Sequence, residues 1–311
     1  MAEWSIAPVL KTGDGKPSVS SNLTASANHL DKYYWMTTTP NSLGMALLLA
    51  ALAPAQADSL VSDHLRTREA QELGVTLSSY SYQEPSVSVG VTSINYGLEY
   101  QKTSLFNGGQ FLLTGIDYAT GTDRYSGSGT LNVPKYYYNA KLAIGTDWVY
   151  GNQIVSPYVG FGYRFLNETG GGLTTSTGAV MYDRQSTYLY IPVGFKQRSL
   201  TGDGGMLEST FELDYLVSGN QFSGLSVMNS FGYTSSTDVN NRQTSGYGLN
   251  ASFMYKRPDG WSLGPYWKYW SIANSDLATW TYKSGGTSYS KSMYEPANTT
   301  EEFGFKALYQ F

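Results

Sequence analysis

From Glu72 onward, hydrophobic and polar residues alternate with period two, interrupted by clusters of Gly, Asn, Asp and Ser, and no run of a dozen residues carries a helical period. Ten segments carry the alternation: 72–84, 91–103, 110–124, 136–150, 155–167, 185–198, 206–219, 244–257, 261–274 and 302–311. In the second, Ile94, Tyr96, Leu98 and Tyr100 oppose Asn95, Gly97, Glu99 and Gln101. In the fifth, Val159, Phe161, Tyr163 and Phe165 oppose Gly160, Gly162 and Arg164; in the eighth, Tyr247, Leu249, Ala251, Phe253 and Tyr255 oppose Gly248, Asn250, Ser252 and Lys256. Each strand therefore has one face suited to an apolar surrounding and one suited to water or polar partners. The predicted fold class is all-β.

A soluble sandwich also alternates, so the connections have to discriminate. They are short at 105–109, 151–154, 200–205 and 258–260, and long at 125–135, 168–184, 220–243 and 275–301, with 85–90 as a short exception on the long side. Tight turns on one side and long loops on the other are the layout of a transmembrane antiparallel up-and-down β-barrel. Aromatic residues near segment ends agree with it, since Tyr136–Tyr138, Trp148, Tyr150, Trp261, Trp267 and Tyr269 fall where a membrane interface takes them. The reading is ten strands, with eight or twelve as alternatives. Closure also follows from backbone chemistry, because an open sheet edge in hydrocarbon leaves N–H and C=O groups unpaired.

With those residues in view, 72–311 resembles the small bacterial outer-membrane β-barrel proteins, a broad porin-like superfamily. The terminal pattern Phe303, Phe305, Ala307, Tyr309, Phe311 resembles the C-terminal signal read by the barrel-assembly machinery. The resemblance implies the outer membrane of a Gram-negative bacterium, both mature ends in the periplasm, and outer-membrane lipid and the assembly machinery as partners.

Upstream of the barrel the chain has a different grammar. The apolar run Leu43–Ala53, a Pro at 54, and the small-x-small pair Ala55 and Ala57 before Asp58 have the form of a secretory signal over 36–57, although no Lys or Arg follows Met36 to charge its start. Such a signal belongs at a chain start. Residues 2–28 resemble the translation of a serine transfer-RNA gene: Ala2-Glu3-Trp4-Ser5 recovers a D-arm, Leu10-Lys11-Thr12 an anticodon loop, and Ser20-Ser21-Asn22 a T-arm. Residues 1–35 are accordingly expected to be a disordered, mis-assigned extension with the true start at Met36. Segment 58–71 is expected to be a periplasmic leader or a short helix at the lower mouth, and 72–311 the barrel.

Composition narrows the chemistry. The chain has 27 Tyr, 12 Phe, 7 Trp and 34 Gly with 14% charged residues, so aromatics and glycine carry the structure. No cysteine means no disulfide, thiolate ligand or cysteine nucleophile, and a net charge of −4 without a basic cluster argues against nucleic acid. The run "MALLLAALAPA" is shorter than the roughly 20 residues of a spanning helix.

Alternation assigns to the lumen Glu99, Asp117, Asp147, Glu208, Glu212, Asp214 and Glu302, against Lys141, Arg164, Lys196, Lys256, Lys268 and Lys306. The near balance of signs reads as a paired network holding the barrel shut, or as the lining of a narrow, weakly selective channel. Tyr190, Tyr266 and Trp270 are expected to point inward and fill space.

Glu208, Glu212 and Asp214 share one strand face and read as half of that charge network, not as an acid/base site. Omptins and barrel-type lipid A acyl-modifying enzymes depend on His at the rim, and His64 is the one His after residue 57. No enzyme, metal or cofactor is expected. The glycine runs at 127–129 and 170–172 lack the Lys-Ser/Thr of a phosphate loop and are read as loop. Ser-, Thr- and Gly-rich loops carrying Phe222, Phe231, Tyr233, Trp280, Tyr282, Tyr289 and Tyr294 leave surface adhesion or ligand recognition as the alternative function.

Overall fold

The structure, a computed structural model, describes residues 24–25, 62–106 and 109–311. The expected cleavage residues Ala55 and Ala57, the signal 36–57 and nearly all of 1–35 lie outside the described residues. Thr24–Ala25 is described as a two-residue strand paired with Tyr294 and Met293.

Ten long strands form the wall: β1 (Ala70–Glu84), β2 (Val89–Phe106), β3 (Gln110–Gly127), β4 (Gly129–Thr146), β5 (Gln153–Glu168), β6 (Arg184–Leu200), β7 (Met206–Ser223), β8 (Gly246–Lys256), β9 (Trp261–Ile272) and β10 (Asn298–Gln310). Each pairs antiparallel with its neighbour in sequence, and β10 pairs with β1 from Thr299↔Gln83 to Gln310↔Glu72. The sheet therefore closes. Short turns lie at the end where β1 starts and β10 stops, called here the turn end; longer connections lie at the loop end.

Alternation does what the sequence demands of it. On β1, Leu73, Val75 and Leu77 are about half exposed while Glu72, Ser78 and Tyr80 are buried; on β10, Phe303, Phe305 and Tyr309 are exposed, as is Phe311 just after it, while Glu302 and Leu308 are buried. Such large exposed side chains form a continuous apolar belt around the barrel. Aromatic residues edge it at the loop end, where Tyr136 lies 6.2 Å from Tyr118 and 6.1 Å from Phe165, and at the turn end, where Trp261 lies 5.2 Å from Tyr309.

Three expectations need correction at the loop end. Segment 125–135 is not a loop: β3 and β4 run on to a hairpin tip at Gly127–Gly129. Beyond the apolar belt the outward residues Arg124, Ser126, Thr130 and Asn132 are polar, which disguises strand as loop, while inward Tyr125 and Val133 are buried with Val89, Val91 and Met181. Segment 220–243 continues β7 to Ser223, then makes a 3₁₀ helix over Leu225–Phe231 and a strand, Val239–Gln243, that pairs back on β7. Segment 275–301 contains a hairpin, Ala278–Ser284 with Thr287–Tyr294, before β10 begins at Asn298.

These loops are a folded layer. Val180, Tyr182, Leu225, Met228, Tyr233, Val239, Trp280, Tyr282 and Met293 make one buried apolar cluster contributed by three connections. It caps the loop end with a core of its own.

Candidate functional site in the barrel lumen

The inward faces of the strands stack into layers. At the turn end, a helical turn over Ser62–Leu65 precedes β1, and Leu65 is 1% exposed. Asp147 holds the next residues: it accepts the Thr67 backbone N–H at 2.6 Å, the Thr67 hydroxyl at 2.7 Å and the Ser156 hydroxyl at 2.6 Å. Arg198 donates to the Thr67 and Ser156 hydroxyls, both at 3.0 Å, and to Glu208 at 2.7 Å. Phe111, Leu113, Ala143 and Tyr158 pack as an apolar cluster, with Phe111 and Leu113 on the inward face of β3. Segment 62–67 is thus strapped across the turn end.

Above this seal lies a charged belt. Lys306 pairs with Glu99 at 2.9 Å, Lys268 with Asp117 at 3.1 Å, and Lys141 with Glu212 at 2.6 Å. Glu208 gathers Lys196 at 3.8 Å and Lys256 at 3.2 Å, and Lys256 also meets Glu72 at 3.0 Å. Glu302 is satisfied by three hydroxyls, Tyr137 and Tyr266 at 2.7 Å and Ser78 at 2.8 Å. The belt encloses a cavity of about 120 Å³, lined by these ion pairs and by Tyr158, Tyr190 and Trp270. At 10–15 Å³ for each water centre, that is room for on the order of ten waters.

Besides Glu302, two charges in this belt stand outside the pairing. Arg164 and Asp214 have no opposite charge within 4.0 Å among the described residues. Arg164 donates to Asn139 at 3.3 Å and lies 5.0 Å from the Tyr137 ring, and Asp214 accepts from Asn250 at 2.6 Å. Arg164 and Trp270 also line a second cavity of about 30 Å³ on their far side, so they form the septum between the two.

Toward the loop end a second charged layer appears that the assigned residues did not include. Lys135 lies 2.5 Å from Asp123, donates to Ser93 at 2.9 Å and sits 3.1 Å from the Tyr80 ring centre. Arg184 meets Glu295 in close contact, Glu84 at 3.5 Å and Glu168 at 3.9 Å. Burial pushes the Glu295 carboxyl up to about 7 against the opposing pull of Arg184. Asp123, Lys135, Glu168 and Arg198 obey the same strand parity as Asp117, Lys141, Arg164 and Lys196 and were legible on that ground. Glu295 was not, because it lies in a loop.

All the charges assigned to the lumen by alternation, Glu99, Asp117, Asp147, Lys141, Arg164, Lys196, Glu208, Glu212, Asp214, Lys256, Lys268, Lys306 and Glu302, fall inside the barrel wall. Phe303, Phe305, Tyr309 and Phe311 line the outer face of β10, and the Phe311 N–H donates to Gln71 at 3.0 Å. Among the loop aromatics, Tyr233, Trp280 and Tyr282 are buried in the cap, whereas Tyr289 is 44% exposed and stacked on Tyr282. His64 is exposed at the turn end, and among the described residues no group of three or more His, Asp or Glu is placed to hold a metal ion.

No protein-family model matches the chain, and no curated protein matches it in sequence. Solved barrels resemble it in outline. The outer membrane protease OmpT from Escherichia coli gives a TM-score of 0.46 at 9% identity, covering 80% of this chain and 100% of that one. An outer membrane channel from Pseudomonas putida F1 gives 0.38 at 12% identity over 82% and 100%, and Neisserial surface protein A gives 0.30 at 11% over 78% and 97%. Likeness at this level says nothing of mechanism.

Proposed function

We propose that the chain is a small outer-membrane β-barrel protein of a Gram-negative bacterium, porin-like in build but structural in role, with its lumen shut at rest. Membrane insertion is supported by the closed wall, the apolar belt and the aromatic edges, since a barrel with oil outside and charges inside has no stable form in water. Closure rests on one observation above the others: ten of the lumen charges are spent on each other, in pairs of 2.6–3.8 Å, between a strapped turn end and a capped loop end. Ions crossing would have to break buried pairs, each break costing about 3–5 kcal/mol.

Recording from the refolded 58–311 protein in planar bilayers tests this. Silence is the expected result. Steady conductance steps that weaken on Lys268→Ala or Glu212→Gln would replace closure with a charge-lined channel. No hydrolase is proposed, because the one described His is exposed at the turn end and is not among the residues lining the lumen cavity; turnover of peptide or lipid A ester by purified protein would refute that. Outer-membrane lipid and the barrel-assembly machinery are the proposed partners, and β10 with Phe303, Phe305, Tyr309 and Phe311 the segment that the machinery reads.

A second reading, surface recognition, is favoured by the cap being a folded layer that presents Tyr289 and Leu277 outward. Ligand or host-cell binding that is lost on Tyr289→Ala, with a silent bilayer trace, would select it.

A further inference from the structure

We propose that the joint fastening loop 273–297 to the barrel rim is a proton-operated latch: protonated, it holds the cap down, and ionised, it lets the cap go. The latch concerns the cap alone and stands whether or not the lumen conducts.

Three carboxylates converge there on one guanidinium. Glu84 comes from the end of β1, Glu168 from the end of β5 and Glu295 from the loop, and Arg184 at the start of β6 is the only cation within 4.0 Å of any of them among the described residues. Glu84 is fully buried and Glu295 is 1% exposed. The Tyr82 hydroxyl serves both, 2.5 Å from Glu84 and 3.3 Å from Glu295, with one proton between them.

The other groups facing the joint do not balance it. Asp123 from β3 and Lys135 from β4 are paired with each other at 2.5 Å. Tyr182 from loop 169–183 is a neutral phenol whose ionisation burial opposes, Tyr188 from β6 is a buried phenol, and Arg164 lies a layer deeper with its N–H on Asn139. Fully ionised, the joint holds two negative charges in excess of Arg184. A desolvated carboxylate without a counter-charge takes up a proton instead of remaining ionised. Among the described residues Glu84 Oε2 and Glu295 Oε2 are buried without a hydrogen-bond partner, so neither oxygen has a donor to support a negative charge.

Position turns this charge excess into a switch. Glu295 follows the hairpin 278–294, and its backbone N–H is held by the Ser275 hydroxyl at 2.8 Å, so it is the base of the arm that carries Trp280, Tyr282 and Met293 into the cap core. Repulsion between ionised Glu84 and Glu295 pushes that base off the rim. Acid closes the latch and alkali opens it.

The absence of cysteine permits a direct measurement on the refolded full-length protein in micelles. Cysteines replacing Ser126, on the exposed β3–β4 tip, and Ser290, on the exposed hairpin, carry a spin-label pair for distance measurement. The expected result is one narrow distribution at about pH 5.5 that broadens reversibly at about pH 8.5. In the Glu84→Gln/Glu295→Gln variant the narrow distribution is expected at both pH values. A native distribution that does not change with pH overturns the latch, and so does a double variant that broadens with pH as the native protein does or is broad throughout.

Discussion

Lys135 shows how charge is tolerated inside this barrel. Its ammonium is unexposed yet has Asp123 at 2.5 Å, the Ser93 hydroxyl at 2.9 Å and the Tyr80 ring at 3.1 Å, which together replace its water. Lys135→Ala strands Asp123 and is expected to cost about 3–5 kcal/mol, whereas Lys135→Met with Asp123→Leu is expected to be near neutral. Urea unfolding in lipid vesicles checks both. Glu295 works in the opposite sense. Its folded value of about 7 lies above the ordinary 4.5, so the folded state binds the proton more tightly. Its contribution is complete below about pH 4.5 and is lost as pH rises through about 7. At the turn end, the Thr201 and Tyr255 hydroxyls and the Gly205 N–H hold the exposed Asp203 carboxyl down to about 2, keeping that turn charged at any physiological pH. Asp147 is the anchor of the strap. Asp147→Ala is expected to free Thr67 and speed tryptic cleavage at the exposed Arg66 and Arg68 by about tenfold or more, read by mass spectrometry.

Among the elements, β10 carries the most consequence, because it closes the barrel. Its outward rings form part of the apolar belt, its inward Glu302 accepts from the Tyr137 hydroxyl and its Lys306 pairs with Glu99 across the lumen, and Phe311 is tied to Gln71. Deleting Phe311 is expected to lower outer-membrane yield severalfold; unchanged yield would remove β10 as the assembly signal. The same seam has no spare room on β1, where a Cβ added at Gly74 would strike the Ala307 carbonyl oxygen. Gly74→Val is therefore expected to cost about 1–3 kcal/mol and to lower the heat-modifiable folded band on gels. The existence of the ten wall strands was legible, but their length and the three cap strands at 239–243, 278–284 and 287–294 were not. Where β3 and β4 leave the apolar belt their outward residues turn polar, so Arg124, Ser126, Thr130 and Asn132 read as loop although the backbone ladder continues through them. Only the inward Tyr125 and Val133, packed against Met181 from another connection, show why the ladder persists.

For the whole molecule, what matters is that three stacked barriers share one lumen: the strap at Leu65–Thr67, the septum of Arg164 and Trp270, and the cap. Because the cap core is separate from the barrel core, replacing 279–292 with a short Gly-Ser turn is expected to leave the barrel folded while abolishing protection of Leu225 and Met228 in hydrogen exchange. The loop aromatics illustrate the limit of composition. Ser, Gly and Tyr in a long connection describe a recognition surface and a folded cap equally well, and only packing shows that Trp280, Tyr282 and Tyr233 face one another with rings 4.3–6.4 Å apart.

Period-two alternation by itself determined the strands, their facing and most of the lumen charges, because a strand has only two sides and a closed sheet must assign one to each medium. It determined nothing about which charge meets which. Lys306 finds Glu99 across 207 positions and Lys141 finds Glu212 across 71, and such pairs depend on register and barrel curvature. Those quantities are properties of the closed sheet as a whole. The cap and its joint depend on them further still, since three loops separated in sequence become neighbours only once β1 to β10 have brought their ends to one rim.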